Sequence, residues 1–168
     1  MIRVRVINKE ASYKLEGMFR RATNLGPALN TVGQDQLASF IKNFEVSGRP
    51  NRWAPLKAST LRMWIGRYKQ GGAYRTKAGG LTQKGHRAMA GRKPLIDTGA
   101  LWRSVRPDQV GARKVSWAAG GGAVNYAGIH QFGAPNKHIP ARPYLVFQDE
   151  DVTRHQMTLR SYILMGRL

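Results

Sequence analysis

The sequence predicts an α+β domain: a small, mainly antiparallel sheet packed by two N-terminal helices and a C-terminal helix. Three patterns carry that expectation. Leu29, Val32, Leu37, Phe40, Ile41 and Phe44 recur at helical spacing and form one apolar stripe. Ser104–Val110 and Lys114–Ala119 read as two strands, with Val115, Trp117 and Ala119 on one face of the second. Asp149-Glu150-Asp151 opens a last helix, where carboxylates complement the partial positive charge of a helix start. A chain of 168 residues, 42% of them hydrophobic, suffices for a single domain with a core across 1–168.

The elements follow in order. Met1–Ile7 alternates Ile2, Val4 and Val6 with Arg3 and Arg5, the period of a half-buried strand. Glu10–Thr23 places Leu15, Met18, Phe19 and Ala22 at helical spacing, and Asn24-Leu25-Gly26-Pro27 separates it from the next helix. Pro27 suits a first helical turn, and Ser47-Gly48 ends that helix. Residues 49–60 are a loop carrying Trp53-Ala54-Pro55-Leu56. Ser59 or Thr60 is placed to cap a short helix to Tyr68, with Leu61, Trp64 and Ile65 inward. The stretch 69–93 is rich in Gly, Lys, Arg and Ala and is expected to be an extended basic loop, mobile or ordered by a partner.

After Pro94 the pattern tightens. Asp97 or Thr98 is expected to cap a short helix holding Leu101 and Trp102. Gly120-Gly121-Gly122 reads as a turn. Asn125–Phe132 reads as one or two helical turns stopped by Gly133-Ala134-Pro135. Pro140 and Pro143 hold Ala141-Arg142 extended. Val152, Leu159 and Ile163 are expected to form the buried side of the last helix.

Charge is the outlying property. Lys and Arg number 28 against 9 Asp and Glu, a net charge of +19. Between Val46 and Ile96 there are 12 Lys and Arg and no acid. Such a surface attracts polyanions or an acidic protein partner. The absence of cysteine excludes disulfides and thiolate metal sites. No apolar run approaches the ~20 residues of a membrane span, and the N-terminus lacks the apolar core of a signal peptide.

Several local patterns resemble chemistry without completing it. Asp97-Thr98-Gly99 matches an aspartic-protease signature, but that mechanism needs two carboxylates sharing a proton, and no second copy of the motif exists. A cap at a helix start explains it better; a protease at Asp97 is the remote alternative. Gly80–Gly85 begins like a phosphate-binding loop but continues into His86 and Arg87 in place of Lys and Ser or Thr. His130 and His138 lack further ligands at zinc spacing, so His130 reads as a packed histidine. No cofactor, metal or catalytic residue is expected. Basic charge interleaved with Trp53, Trp64, Tyr68 and Tyr74 suits single-stranded nucleic acid. No recognised nucleic-acid motif accompanies it, and docking on an acidic subunit explains it better.

The chain resembles the phage virion morphogenesis family of Mu-like phages, which is related to tail-completion and neck proteins of tailed phages. The residues that carry the resemblance are Phe44, Arg52-Trp53-Ala54-Pro55-Leu56 and Ser59-Thr60-Leu61. Further along they are Leu95–Leu101 with Ser104, Tyr126–Gly133, and Ile139–Leu145. The resemblance implies a non-enzymatic virion protein of the head–tail junction, assembled in the host cytoplasm. It implies a homo-oligomeric ring, with a hexamer favoured by the tail's symmetry. Partners are other neck, connector and tail proteins, with non-specific DNA contact as the alternative and no membrane. The expected contact residues are Arg49, Arg52, Trp53, Arg67, Lys69, Arg75, Lys77, Lys84, Arg87, Lys137 and Arg142. Arg142, between its prolines, is the foremost of these, as an interface salt bridge or a buried ion pair. Asp97, Thr98, Gly99, Tyr126, His130, Phe132, Gly133, Pro140 and Pro143 are expected to be the supporting framework.

Overall fold

The computed structural model describes residues 8–68 and 73–168. The strand expected over residues 1–7 lies outside them. Seven α-helices and one two-stranded antiparallel sheet appear among the described residues, so the fold is α+β. The helices are α1 Lys9–Thr23, α2 Gly26–Val46, α3 Ala58–Tyr68, α4 Gln83–Ala90, α5 Ala100–Arg103, α6 Ala127–Phe132 and α7 Asp149–Met165. The strands are β1 Arg106–Val110 and β2 Val115–Ala118. None of these helices is long and apolar enough to cross a membrane.

The chain divides into two compact units, and the division falls within α2, between Phe40 and Ile41. The first unit takes the chain up to Phe40, Val105–Ala118 and Phe147–Leu168. Its core is set by the stripe of α2, where Leu29, Val32 and Phe40 are buried. Phe40, Trp117 and Phe147 meet mutually edge-to-face at 5.5–5.8 Å between centroids. Each such pair contributes about 0.5–1.5 kcal/mol beyond the area it buries. Trp117 also donates its indole N–H to the carbonyl of Gly33 at 3.0 Å. The strands pair from Arg106 opposite Ala118 to Val110 opposite Val115, with the register shifting between Pro107 and Gln109.

Two helices depart from their expected faces. Residue Asn8 caps α1, accepting from the Ala11 N–H at 3.0 Å. Yet α1 buries no residue, and Leu15 and Phe19 of its apolar stripe are exposed. In α7 the buried residues are Asp151 and His155, while Val152, expected inside, is exposed. Asp151 can be buried because its oxygens are fully engaged. It accepts from Ser39 Oγ at 2.6 Å, from the Gln148 N–H at 3.2 Å and from Arg154 Nη2 at 2.7 Å. Burial pushes its pKa up, but the hydrogen bonds from Ser39, Gln148 and Arg154 outweigh that and hold it below the ordinary carboxylate value. Arg154 in turn bonds Asp35, which also faces His155 Nε2 at 3.1 Å.

The second unit is Ile41–Ser104 with Ala119–Val146. Phe44, Trp53, Ile65, Leu101, Ala127 and Tyr144 form its core. Ser47 and Gly48, both at positive φ, end α2. Of the stretch expected as an extended loop over 69–93, the described part, 73–93, contains a turn and a helix. A turn with Arg75 bridged to Leu81 leads to Thr82, whose hydroxyl accepts from the Gly85 N–H at 3.2 Å and starts α4. A small polar cap therefore suffices to fold a Gly- and Lys-rich stretch that offers few apolar anchors. Helix α5 begins after Gly99 at φ +79, not after Asp97 or Thr98; the Thr98 hydroxyl still takes the Ala100 N–H at 3.3 Å.

Candidate functional site

The site candidate lies wholly within the second unit. It is a pocket of about 500 Å³ walled by α3, by residues 92–101, and by Tyr126, His130 and Arg142. Local chain chemistry builds each wall. Helix α3 buries Ile65 and turns Met63 and Trp64 toward the opening. Leu95 adopts φ +62, a conformation rare for a bulky residue, and lines the pocket. Arg92 lies over the Trp64 ring at 4.1 Å from its centroid and pairs with Asp97.

Arg142 is the most unusual group in the wall. It is only 6% exposed, yet no carboxylate pairs with it among the described residues. Its Nε donates to the Ala54 carbonyl at 3.1 Å and its Nη2 to the Pro55 carbonyl at 3.3 Å. Burial lowers its pKa. The backbone places it firmly, because the Arg142 N–H donates to the His130 carbonyl at 2.8 Å. Buried charges are ordinarily paired, since an uncompensated ion loses its hydration for little return. Of the two roles expected for Arg142, the buried ion pair does not form among the described residues, where two carbonyls accept from it instead.

His130 shares this environment. Burial first, and the Arg142 charge second, lower its pKa from 6.5. Its Nδ1 is buried and has no hydrogen-bond partner among the described residues. The ring meets Tyr126 edge-to-face at 5.6 Å.

The sequence-predicted residues are only partly gathered here. Arg67 and Arg142 line the pocket, with Asp97, Thr98, Gly99, Tyr126 and His130. Arg49, Arg52, Trp53 and Pro143 line a second, smaller cavity of about 240 Å³ in the same unit. There Trp53 Nε1 donates to the Pro143 carbonyl at 2.9 Å. Arg75 and Lys77 belong to the turn before α4, Lys84 and Arg87 to α4 itself, and Lys137 to a single 3-10 turn at Pro135–Lys137. Lys69 lies outside the described residues. Gly133, at φ +79, allows the chain to pass the Ala141 backbone closely. Pro140 is exposed, and Phe132, expected as a packing group, is 80% exposed. The reading from sequence overlooked Arg92 and Lys93 as wall residues; their adjacency to Leu95 and Asp97 was the available signal.

The described site thus joins a basic, partly aliphatic pocket to an arginine that no carboxylate pairs with among the described residues. The profile of the phage virion morphogenesis family matches residues 70–163, more than half of the chain, and the chain belongs to that family. Its role is accordingly in virion assembly. The matched span includes α4, the Leu95–Leu101 segment, His130 and Arg142. Comparison with curated proteins and with solved structures returned no match.

Proposed function

We propose that this chain is a non-enzymatic structural protein of the virion's head–tail junction, which completes the tail or joins it to the head as a homo-oligomeric ring, a hexamer being favoured. Membership of the virion morphogenesis family is the observation that carries this reading. A ring forms when one head-to-tail contact repeats until it closes, so each subunit needs two different mating surfaces. The cation-lined pocket of the second unit is the candidate for one of these surfaces. A catalytic role is poorly supported: Asp97 is exposed and has Arg92 as its partner rather than a second carboxylate.

A phage deprived of this chain should accumulate filled heads and separate tails, and complementation should restore joined particles. Normal yields of infectious particles without it would overturn the proposal. Native mass spectrometry of isolated necks should show several copies in one complex, and a single copy would remove the ring.

A further inference from the structure

The pocket holds more positive charge than its own carboxylates can balance. Arg67, Arg92, Lys93 and Arg142 line it against one acid, Asp97, which Arg92 already engages. Arg142 spends two donors on carbonyls and has no anionic partner among the described residues. Leu56, Met63, Leu95 and Leu101 add an aliphatic part to the same lining. A space of about 500 Å³ lies within the range of small-ligand pockets and takes one or two side chains, not a folded domain.

We propose that this pocket receives a segment of a partner protein that carries a carboxylate beside a bulky apolar side chain. The proposal rests on the assembly reading above and names the chemistry of one of its contacts. The carboxylate is held among Arg67, Lys93 and Arg142, as a charge-assisted contact; the apolar side chain rests on Leu56, Met63 and Leu95. Nucleic acid suits the site less well. Base stacking needs open aromatic faces. One face of Trp64 is covered by Arg92, and Tyr126 is engaged edge-to-face with His130. The aliphatic lining has nothing to offer a sugar-phosphate strand.

The test is an NMR titration of the full chain, following the Trp64 indole N–H and the His130 ring. One probe is a short end-blocked peptide with a phenylalanine flanked by aspartates. Its asparagine counterpart and a short oligothymidylate are the comparisons. The aspartate peptide should shift both resonances, bind about tenfold or more tightly than the asparagine peptide, and weaken as salt rises from about 0.05 to 0.5 M. Arg67→Ala, at an exposed position of α3, should weaken that binding several-fold while leaving the rest of the spectrum in place. Equal binding of the two peptides, no shift at Trp64 and His130, or stronger perturbation by oligothymidylate overturns the proposal. A phage that needs the chain for head–tail joining, together with unmoved pocket resonances, would leave the assembly role standing and remove this partner chemistry alone.

Discussion

The phenol of Tyr144 donates a 3.0 Å hydrogen bond to the carbonyl of Ala127 and thereby ties the extended segment after Pro143 to the start of α6. The ring is 1% exposed and stands 5.1 Å from Phe44. Around it, Asn43 Nδ2 reaches the Tyr144 carbonyl at 2.9 Å, and Gln131 Oε1 accepts from the Tyr144 N–H at 3.0 Å. Burial pushes the phenol pKa from 10.0 to about 12. A raised pKa means that the contribution to stability is complete below pH about 10 and is lost as pH rises through about 12. Tyr144→Phe should therefore cost about 1 kcal/mol at neutral pH. It should also delete a phenolate absorbance step at about pH 12, and an unchanged alkaline titration would contradict the assignment.

Asp151 gives the corresponding prediction on the acid side of the first unit. Its folded pKa is depressed by the Ser39, Gln148 and Arg154 hydrogen bonds, which outweigh burial. The stability it contributes is present above its ordinary value of 3.8 and is lost as pH falls through the lower, folded value. Ser39→Ala removes the 2.6 Å donor and should lower stability by about 1–3 kcal/mol. Asp151→Ala, which strands several buried donors, should cost more. Urea unfolding at neutral and at acid pH separates these effects: the gap between wild type and Asp151→Ala should narrow in acid.

How much was legible depended on whether a buried face was apolar. The stripe of α2 was visible because Leu29, Val32, Phe40 and Phe44 recur at the helical period and are in fact buried. The buried side of α7 was misread in part: Leu159 and Ile163 are half-buried, but Val152 is exposed, and the fully buried residues are polar, Asp151 and His155, held inward by specific partners that periodicity cannot reveal. The stripe of α1 was visible, but its burial was not, since pattern reports an apolar face and not what covers it. α4 was hidden by a loop-like composition, although Thr82 was there to cap it. At the site, the Asp97-Thr98-Gly99 segment, His130 and Arg142 all stood out in the sequence. What did not show was that Arg92 crosses 28 positions back to Trp64, or that Arg142 has no acid beside it among the described residues; both are facts of distance.

Gly48 tests how tightly the end of α2 is built. At φ +105, a Cβ there would meet the Asn51 carbonyl oxygen and Trp53 Cδ1, both at 2.7 Å. The carbonyl is backbone and Trp53 is a core residue, so neither yields easily. Gly48→Ala should destabilise the chain by about 1–3 kcal/mol, from strain and the displaced indole. Thermal unfolding reads the loss, and a variant as stable as the parent would mean that the turn readily adopts another conformation.

His130 supplies a further pH dependence, on the acid side of its ordinary value. Burial first, and the Arg142 guanidinium second, disfavour its charged form and lower its pKa. The folded pKa lies below 6.5, so between that value and 6.5 the unfolded chain binds the extra proton. Stability from this group is then present above pH about 6.5 and is lost as pH falls through the folded pKa. The His130 ring protons, followed by NMR, should titrate with a midpoint under 6.5; a midpoint at or above it would refute the argument. Arg142→Gln removes the opposing charge but leaves the burial, so the midpoint should rise part of the way back. His130→Phe removes the titrating group, and the acid-side loss of stability that it causes should vanish with it. If a partner carboxylate does enter the pocket beside Arg142, it will offset the same charge, and the His130 midpoint should move upward on binding.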